Sequence, residues 1–367
     1  MIMIKRLAIY PFGPESLPMI RHFSLIKDYK IAALISPKSW GYTGTKYICE
    51  QEILEVQNDF HGVGEKFDVV FIPEIPLNEK AEHQLIRELC KITHLIHLII
   101  VGCYLQQESI DLLKRSTQQN QCLLQFMNNS SLNDHLLIDN CNILECSIPI
   151  IAIVGALQNT DKFELSLALR EKFLQEGYKL TQIGSRPYCE LFGFHSFPTF
   201  MTNCQMHEKE KIIYFNRYVY DLVKEEKSDV AIITVPGSTQ KLNNKYTNGF
   251  GILPFLVFQA IQPDYLIFCT LYDSTPAKLL ELYNLSCKYK YGHSVDSFHM
   301  SNTYLDILGS DEMADIVTKQ VEREYVDLNI QDIVTCYSIF NAYSTSGILD
   351  LYNSIISRLS DSAAVFE

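Results

Sequence analysis

The sequence predicts an α/β protein in two parts: a Rossmann-like parallel-sheet domain over residues 1–146, and a P-loop NTPase-like α/β domain over residues 147–367 that turns helical from about residue 274. Three observations predict it. Short β-branched or aliphatic runs alternate with stretches of helical period, the pattern of parallel strands joined by crossover helices. An apolar run at 150–154 enters a polar loop and then an amphipathic stretch, the order strand, phosphate loop, helix. The chain's 367 residues exceed what one ordinary α/β core needs.

In the first part, residues 5–10, 31–36, 68–73, 97–102 and 122–126 read as strands, and 15–24, 79–92 and 109–115 as helices. The loop at 37–44 holds Trp40 in the stretch WGYTG and reads either as a packed loop or as the lining of a cleft. A dinucleotide fold places GxGxxG after its first strand, but residues 9–15 read IYPFGPE. Pro11 and Pro14 have no N–H to offer a pyrophosphate, so a Rossmann-like sheet without a dinucleotide is expected.

The polar, cysteine-rich stretch 137–147 marks the domain boundary. Beyond it the expected order is strand 150–154, loop, helix 162–176, strand 179–184, helix 208–226, strand 229–235 and strand 265–271. After Asp273 helices with acidic faces are expected, notably over 310–324 and 346–357.

Composition narrows the function classes. Hydrophobic residues make up 47% and charged residues 20%, which excludes bulk disorder. A net charge of −12 with no basic cluster argues against nucleic acid as a partner. Eleven cysteines without a CxxC are expected as buried, reduced thiols rather than metal ligands, and no metal is expected. No apolar run reaches ~18 residues and no signal-length h-region opens the chain, so the expected location is cytoplasmic, with no membrane partner.

The loop at 155–164 reads GALQNTDKFE. A phosphate loop needs glycines that let successive N–H groups turn inward, a lysine for the terminal phosphates, and a following Ser or Thr to hold the metal. Gly155 and Lys162 meet these needs. The second glycine position holds Asp161, and the hydroxyl position holds Phe163. A carboxylate ~4 Å from phosphate costs ~4 kcal/mol at an effective dielectric of ~20, and its Cβ resists the positive φ that glycine accepts. Phe163 cannot ligate Mg²⁺. Two readings stay open: retained nucleotide chemistry, or an Asp161 that caps the helix while Lys162 pairs with a carboxylate.

Residues 149–194, with GALQNTDKF and then LQEGYKLTQIG, resemble a bacterial family linked to N-acetylation of D-glutamate, whose loop has five residues between its first glycine and a Gly-Lys pair. TVPGSTQ at 234–240, Gly249 and Gly251, and FQAIQPDYLIFC at 258–269 extend the resemblance to about residue 273. It carries Gly155, Lys162, Gly237, Ser238, Gln262, Pro263 and Asp264. The family's strand-end acid is Thr234 here, its next glycine Val235, its glutamine Pro236 and its histidine Phe258. Losing that acid together with the loop hydroxyl removes both metal contacts of a phosphoryl-transfer site. From its opening IKRLAIYPF through the loop, the chain also resembles a clostridial family of peptide maturation system proteins. That resemblance implies a gene neighbourhood of radical-SAM enzymes and short cysteine-rich precursor peptides.

The resulting site expectation is a nucleotide- or CoA-binding set of Gly155, Thr160, Asp161, Lys162, Gly237 and Ser238. Arg186 and Glu190 follow the strand at 179–184 and either contact substrate or pair with each other. His195, in the same region, is the candidate general base. Of the close histidine pairs, His94 with His97 and His293 with His299, neither has HExxH context. The expected function is that of an accessory protein in ribosomal peptide maturation, a natural-product biosynthesis system, with a precursor peptide or a radical-SAM enzyme as partner. The alternative is an acyl-CoA- or nucleotide-dependent transferase acting on an amino group, with acetyl-CoA or a nucleotide as its cofactor. Exposed apolar surface on the C-terminal helices would suit a homodimer.

Overall fold

A computed structural model describes residues 5–73, 78–127, 142–274, 276–313 and 316–364. The chain divides into two compact units, Met1–Ser130 with Arg186–Ser196, and Ser131–Ser185 with Phe197–Glu367. Both are α/β, and each is built on a mostly parallel sheet. Residues 128–141, which include part of the stretch where the boundary is expected, lie outside the described residues.

The first unit runs β1 (Lys5–Ile9), α1 (Leu17–Arg21), β2 (Tyr29–Ile35), β3 (Lys46–Cys49), β4 (Glu52–Gln57), β5 (Val69–Ile72), α2 (Glu79–Cys90), β6 (Leu98–Val101), α3 (Gln107–Gln119) and β7 (Leu123–Phe126). Its sheet order is β3-β4-β2-β1-β5-β6-β7, and only the β3/β4 pair is antiparallel. The chain builds outward from β1 on one side and then crosses to β5 on the other, which creates a topological switch point at β1. The core strands β5 and β6 are apolar at every position because both faces are buried: Val70, Ile72, Ile99 and Val101 pack with Leu85 of α2 and Leu113 of α3, and Phe71 meets the Tyr188 ring edge-on at 5.2 Å. The expected helix over 15–24 is instead the short α1 flanked by two 3-10 turns, Pro14–Ser16 and Phe23–Leu25. The β3–β4 hairpin escapes the sequence pattern because its large apolar residues face outward: Ile48 and Ile53 pair across the strands at 74% and 68% exposure.

In the second unit and the segment that interrupts it, the elements are β8 (Ile150–Gly155), α4 (Lys162–Gln175), β9 (Leu180–Gly184), the short β10 (His195–Ser196), α5 (Glu208–Glu226), β11 (Val230–Thr234), α6 (Ile252–Ala260) and β12 (Tyr265–Thr270). Next come α7 (Ala277–Tyr291), β13 (Ser297–Met300), β14 (Thr303–Leu305), α8 (Ile307–Met313), β15 (Thr318–Gln320), α9 (Arg323–Asp332), β16 (Ser338–Phe340) and α10 (Thr345–Ala364). The unit's own strands lie in the order β9-β11-β8-β12-β13-β16, all parallel. β8 is central and its residues feed two cores. Ile151 and Ile153 pack with Leu165, Leu169 and Phe173 of α4, while Ala152 and Val154 pack with Phe215 and Val219 of α5. α4 lies buried between the sheet and α10, where the Phe173 and Tyr352 rings meet edge-on at 5.0 Å. This explains why α4 is buried at every position from Lys162 to Leu169.

After Asp273 helices are present, with α10 spanning the expected 346–357, but β13 and β16 also extend the sheet and β14–β15 form a hairpin. The helix expected over 310–324 is replaced by the end of α8, β15 and the start of α9. No described helix is long and apolar enough to cross a membrane. The described cysteines are free thiols. Burial pushes Cys49 and Cys122 up to about 11 and Cys287 up to about 12, so these sulfurs act as packing atoms.

Candidate functional site

The loop that leaves β8 sits at the carboxyl end of the central strand, with α4 starting at Lys162. Its near end is welded to the sheet: Ala156 N donates to Cys269 O at 2.8 Å, and Gly155 O accepts from Thr239 N at 2.9 Å. Gly155 has no room for a side chain, since a Cβ there would lie 2.3 Å from Thr160 Oγ1 and 2.9 Å from Lys162 Nζ. Thr160 is fully buried and donates to Leu157 O at 3.1 Å.

Lys162 is the centre of this arrangement. Its ammonium turns into the loop and donates to Leu157 O at 2.9 Å, Gln158 O at 3.1 Å and Gly237 O at 2.9 Å. An ammonium has three donors, and here three carbonyls take them. These carbonyls form a cage around the ammonium and bring Gly237 to the loop. Ser238 follows in a buried position.

Asp161 adopts φ 55 and ψ 22, the left-handed conformation a glycine would take there. It occupies the N-cap position but makes no side-chain cap hydrogen bond. Its Oδ2 instead accepts from Asn302 N at 3.2 Å, while Thr303 Oγ1 donates to Asn159 O at 3.2 Å. Asn302 is held in turn by Asn341, whose Nδ2 reaches Asn302 Oδ1 at 2.6 Å and Met300 O at 3.1 Å. The segment after β13 therefore fastens the outer rim of the loop. Phe163, at the position of the metal-binding hydroxyl, points into the core and is 4% exposed.

Beneath the loop the sheet register sets Gly155, Cys269, His299 and Phe340 side by side on β8, β12, β13 and β16. Burial pushes the Cys269 thiol far up, and the neighbouring Lys162 charge pulls it back in part. His299 is fully buried, its Nδ1 accepting from Ala342 N at 3.2 Å, which places the imidazole proton on Nε2. Burial lowers His299 to about 4, against the raising influence of the Phe340 backbone and Glu164, so the ring is neutral at pH 7. At the end of β11, Thr234 stands where a strand-end acid would be; its Oγ1 is buried without a hydrogen-bond partner among the described residues.

A cavity of about 670 Å³ adjoins the loop at Ala156 and Leu157. Tyr272, Tyr283, Tyr304, Ile307 and Tyr325 line it, so its walls are mainly apolar with hydroxyl tips. The arrangement can bury an apolar or aromatic group beside a helix N-terminus.

The remaining expected residues fall elsewhere. Arg186, Glu190 and His195 belong to the segment grouped with the first unit. Arg186 Nη2 pairs with Glu15 Oε2 at 2.8 Å, not with Glu190. Glu190 accepts from Ser196 N at 2.9 Å and Ser196 Oγ at 2.6 Å, which closes the turn that carries half-buried His195. Asp264 lies at the opposite sheet end from the loop, with Oδ2 accepting from Ile150 N at 2.8 Å. Gly251, by contrast, is tightly enclosed: a Cβ would fall 1.7 Å from Thr239 O, a carbonyl that Lys290 Nζ and Tyr291 OH also hold. Sequence reasoning did not place Cys269 and Asn302 at the loop, because each reaches it from a segment remote in sequence.

No protein-family model and no curated protein matches the chain. Among solved structures, it is similar to a DUF1611 family protein from Anabaena variabilis, at 14% identity over 96% of this chain and 99% of that one, with a TM-score of 0.60. Hydrogenase maturation factor HypB from Archaeoglobus fulgidus matches at 12% identity, 57% of this chain, 89% of that one and a TM-score of 0.32. An LAO/AO transport system kinase matches at 11% identity, 79% of each chain and 0.34. At this identity the first likeness shows the fold alone, that of an α/β chain.

Proposed function

We propose that the second unit is a non-hydrolysing P-loop-fold binding module, and that the protein serves as an accessory in ribosomal peptide maturation, holding a precursor peptide or the radical-SAM enzyme that modifies it. The observation that carries this reading is the state of Lys162. Its three donors are spent on Leu157, Gln158 and Gly237 carbonyls, while Phe163 is buried and Thr234 replaces the acid. Phosphoryl transfer depends on a lysine, a metal-bound hydroxyl and a carboxylate acting together. Here the lysine works as a structural tie. The peptide role itself rests on the sequence resemblance.

A second reading, transfer of an acyl group from a CoA thioester to an amine, is favoured by the cavity beside the loop. It needs no loop Mg²⁺ and tolerates Phe163. Equilibrium binding of ATP, GTP and acetyl-CoA, with and without Mg²⁺, separates the two. The first reading expects no Mg²⁺-dependent turnover of ATP or GTP, and precursor modification in a reconstituted pathway that survives Lys162→Ala at a temperature where the variant stays folded. Full loss with Lys162→Ala or His195→Ala, together with acetyl-CoA binding, would establish the transferase instead.

A further inference from the structure

The first unit holds a cavity of its own, of about 440 Å³, at the carboxyl ends of three adjacent strands. Tyr10 follows β1, Trp40 lies in the turn after β2, and Phe60 follows β4; α2 closes the space with Leu85, Gln84 and Glu88. Trp40 lines this cavity and also packs against the first unit's core, so both sequence readings of its loop are met. Tyr10 and Phe60 meet edge-on with ring centroids 4.7 Å apart. Trp40 lies against Gly13, where a Cβ would stand 3.2 Å from the indole, so the glycine admits the ring. The cavity adjoins the strand-order reversal at β1, the place where open α/β sheets take ligands.

Its charged groups are mostly acids. Asp59 and Glu88 supply carboxylates, and Asn58 and Gln84 supply amides that can accept as well as donate. One residue before Asn58, the Gln57 side-chain oxygen is buried with no hydrogen-bond partner among the described residues. Lys38 is the one cation in the lining. Asp59 lies 3.3 Å from His61, and Glu88 is 2.7 Å from Lys91, both outside the cavity. Glu88's charge still reaches inward, since it adds to burial in raising the Tyr10 hydroxyl. A phosphate would find no nest of N–H groups, because Pro11 and Pro14 occupy the loop after β1.

Aromatic faces and carboxylates attract the same kind of ligand, because the negative face of a ring and an acid both favour a weakly hydrated cation. We propose that this cavity binds an organic cation, an alkylammonium or guanidinium group, between Tyr10, Trp40 and Phe60 with Glu88 and Asp59 as counter-charges. Free amines and basic side chains of a peptide share this chemistry, and different probes tell them apart.

Trp40 is the chain's single tryptophan, so its emission reports on this cavity alone. The full-length protein is titrated with tetramethylammonium, with N-acetyl-arginine amide, with adenosine as a neutral ring and with inorganic phosphate as an anion; N-acetyl-tryptophan amide serves as the reference for collisional quenching. The expected result is a saturable change with one or both cations. Tighter binding of the arginine derivative points to a peptide side chain, and tighter binding of tetramethylammonium to a free amine. Glu88→Gln, an exposed position whose variant keeps its circular dichroism, weakens the cation about tenfold. Phe60→Leu weakens it as well, with calorimetry on Trp40→Phe providing a fluorescence-independent measure of cation binding. A response no greater than the reference, tighter binding of adenosine or phosphate, or an unchanged affinity in Glu88→Gln overturns the proposal.

Discussion

Each unit sends its first strand into a loop at the carboxyl end of a parallel sheet, and the two loops solve that position differently. After β1 the chain reads Tyr10, Pro11, Phe12, Gly13, Pro14, and Trp40 packs against Gly13. After β8 it reads Gly155 to Lys162, and a lysine fills the space. Parallel topology fixes where a ligand crevice opens, whereas the loop residues fix which chemistry it accepts. The first unit presents rings and acids. The second presents an enclosed ammonium with an apolar cavity at its side.

The sharpest difference is steric. The resemblance at 234–251 carries several glycines, but only Gly251 is both left-handed, at φ +68, and pressed against a backbone carbonyl. Gly251→Ala is expected to cost about 3–5 kcal/mol in urea unfolding, because neither Thr239 O nor the chain after it can yield. Gly237→Ala, at φ +78 with nothing within 4 Å, should cost only about 1 kcal/mol. Equal costs at the two sites would mean that conformation alone, not packing, selects these glycines.

Much of this was legible in the sequence, for identifiable reasons. Buried parallel strands such as β8 and β12 are unbroken apolar runs, and α5 spans the expected 208–226 because its period is strong and its ends are polar. The loop's position and both of its departures, Asp161 and Phe163, were visible as well. What stayed hidden depends on contacts remote in sequence. The destination of Lys162 is set by Gly237, 75 residues away, and the rim by Asn302, 141 residues from Asp161. Trp40 and Phe60 converge only because β2 and β4 are neighbours.

Acid should separate the two regions next. His299 is lowered to about 4 in the folded second unit and returns to about 6.5 on unfolding. Between these values the unfolded chain binds more protons, so stability rises with pH there and is lost as pH falls from about 6.5 toward 4. The loss amounts to about 3 kcal/mol in full. Hydrogen exchange resolved by segment should show β13 and α4 losing protection across that window. His299→Gln should flatten the slope. An unchanged slope would show that other groups carry the acid sensitivity.

Lys162→Ala removes a buried donor from three carbonyls and should destabilise by about 2–3 kcal/mol, with the Trp40 emission of the first unit unaltered at temperatures where the fold is intact. A stability change below about 0.5 kcal/mol would indicate that water replaces the ammonium freely, and hence that the loop is open enough to admit phosphate.

The smallest expected effect is the most telling about function. Thr234 ends β11 at the place where a strand acid would hold metal or position an attacking group, and its hydroxyl is buried with no partner among the described residues. A buried hydroxyl without a hydrogen bond costs free energy, so exchanging it for a methyl of the same shape removes a penalty and no contact. Thr234→Val should therefore change stability by less than about 0.5 kcal/mol, or raise it slightly. If the second unit only binds, the substitution should also leave precursor modification in the reconstituted pathway unchanged. If Thr234 orients a reacting group once ligand is present, as the transferase reading allows, turnover should fall while the melting temperature holds. A stable variant with lost turnover would reverse the comparison, making the altered P-loop a working site whose acid had been replaced by a hydroxyl.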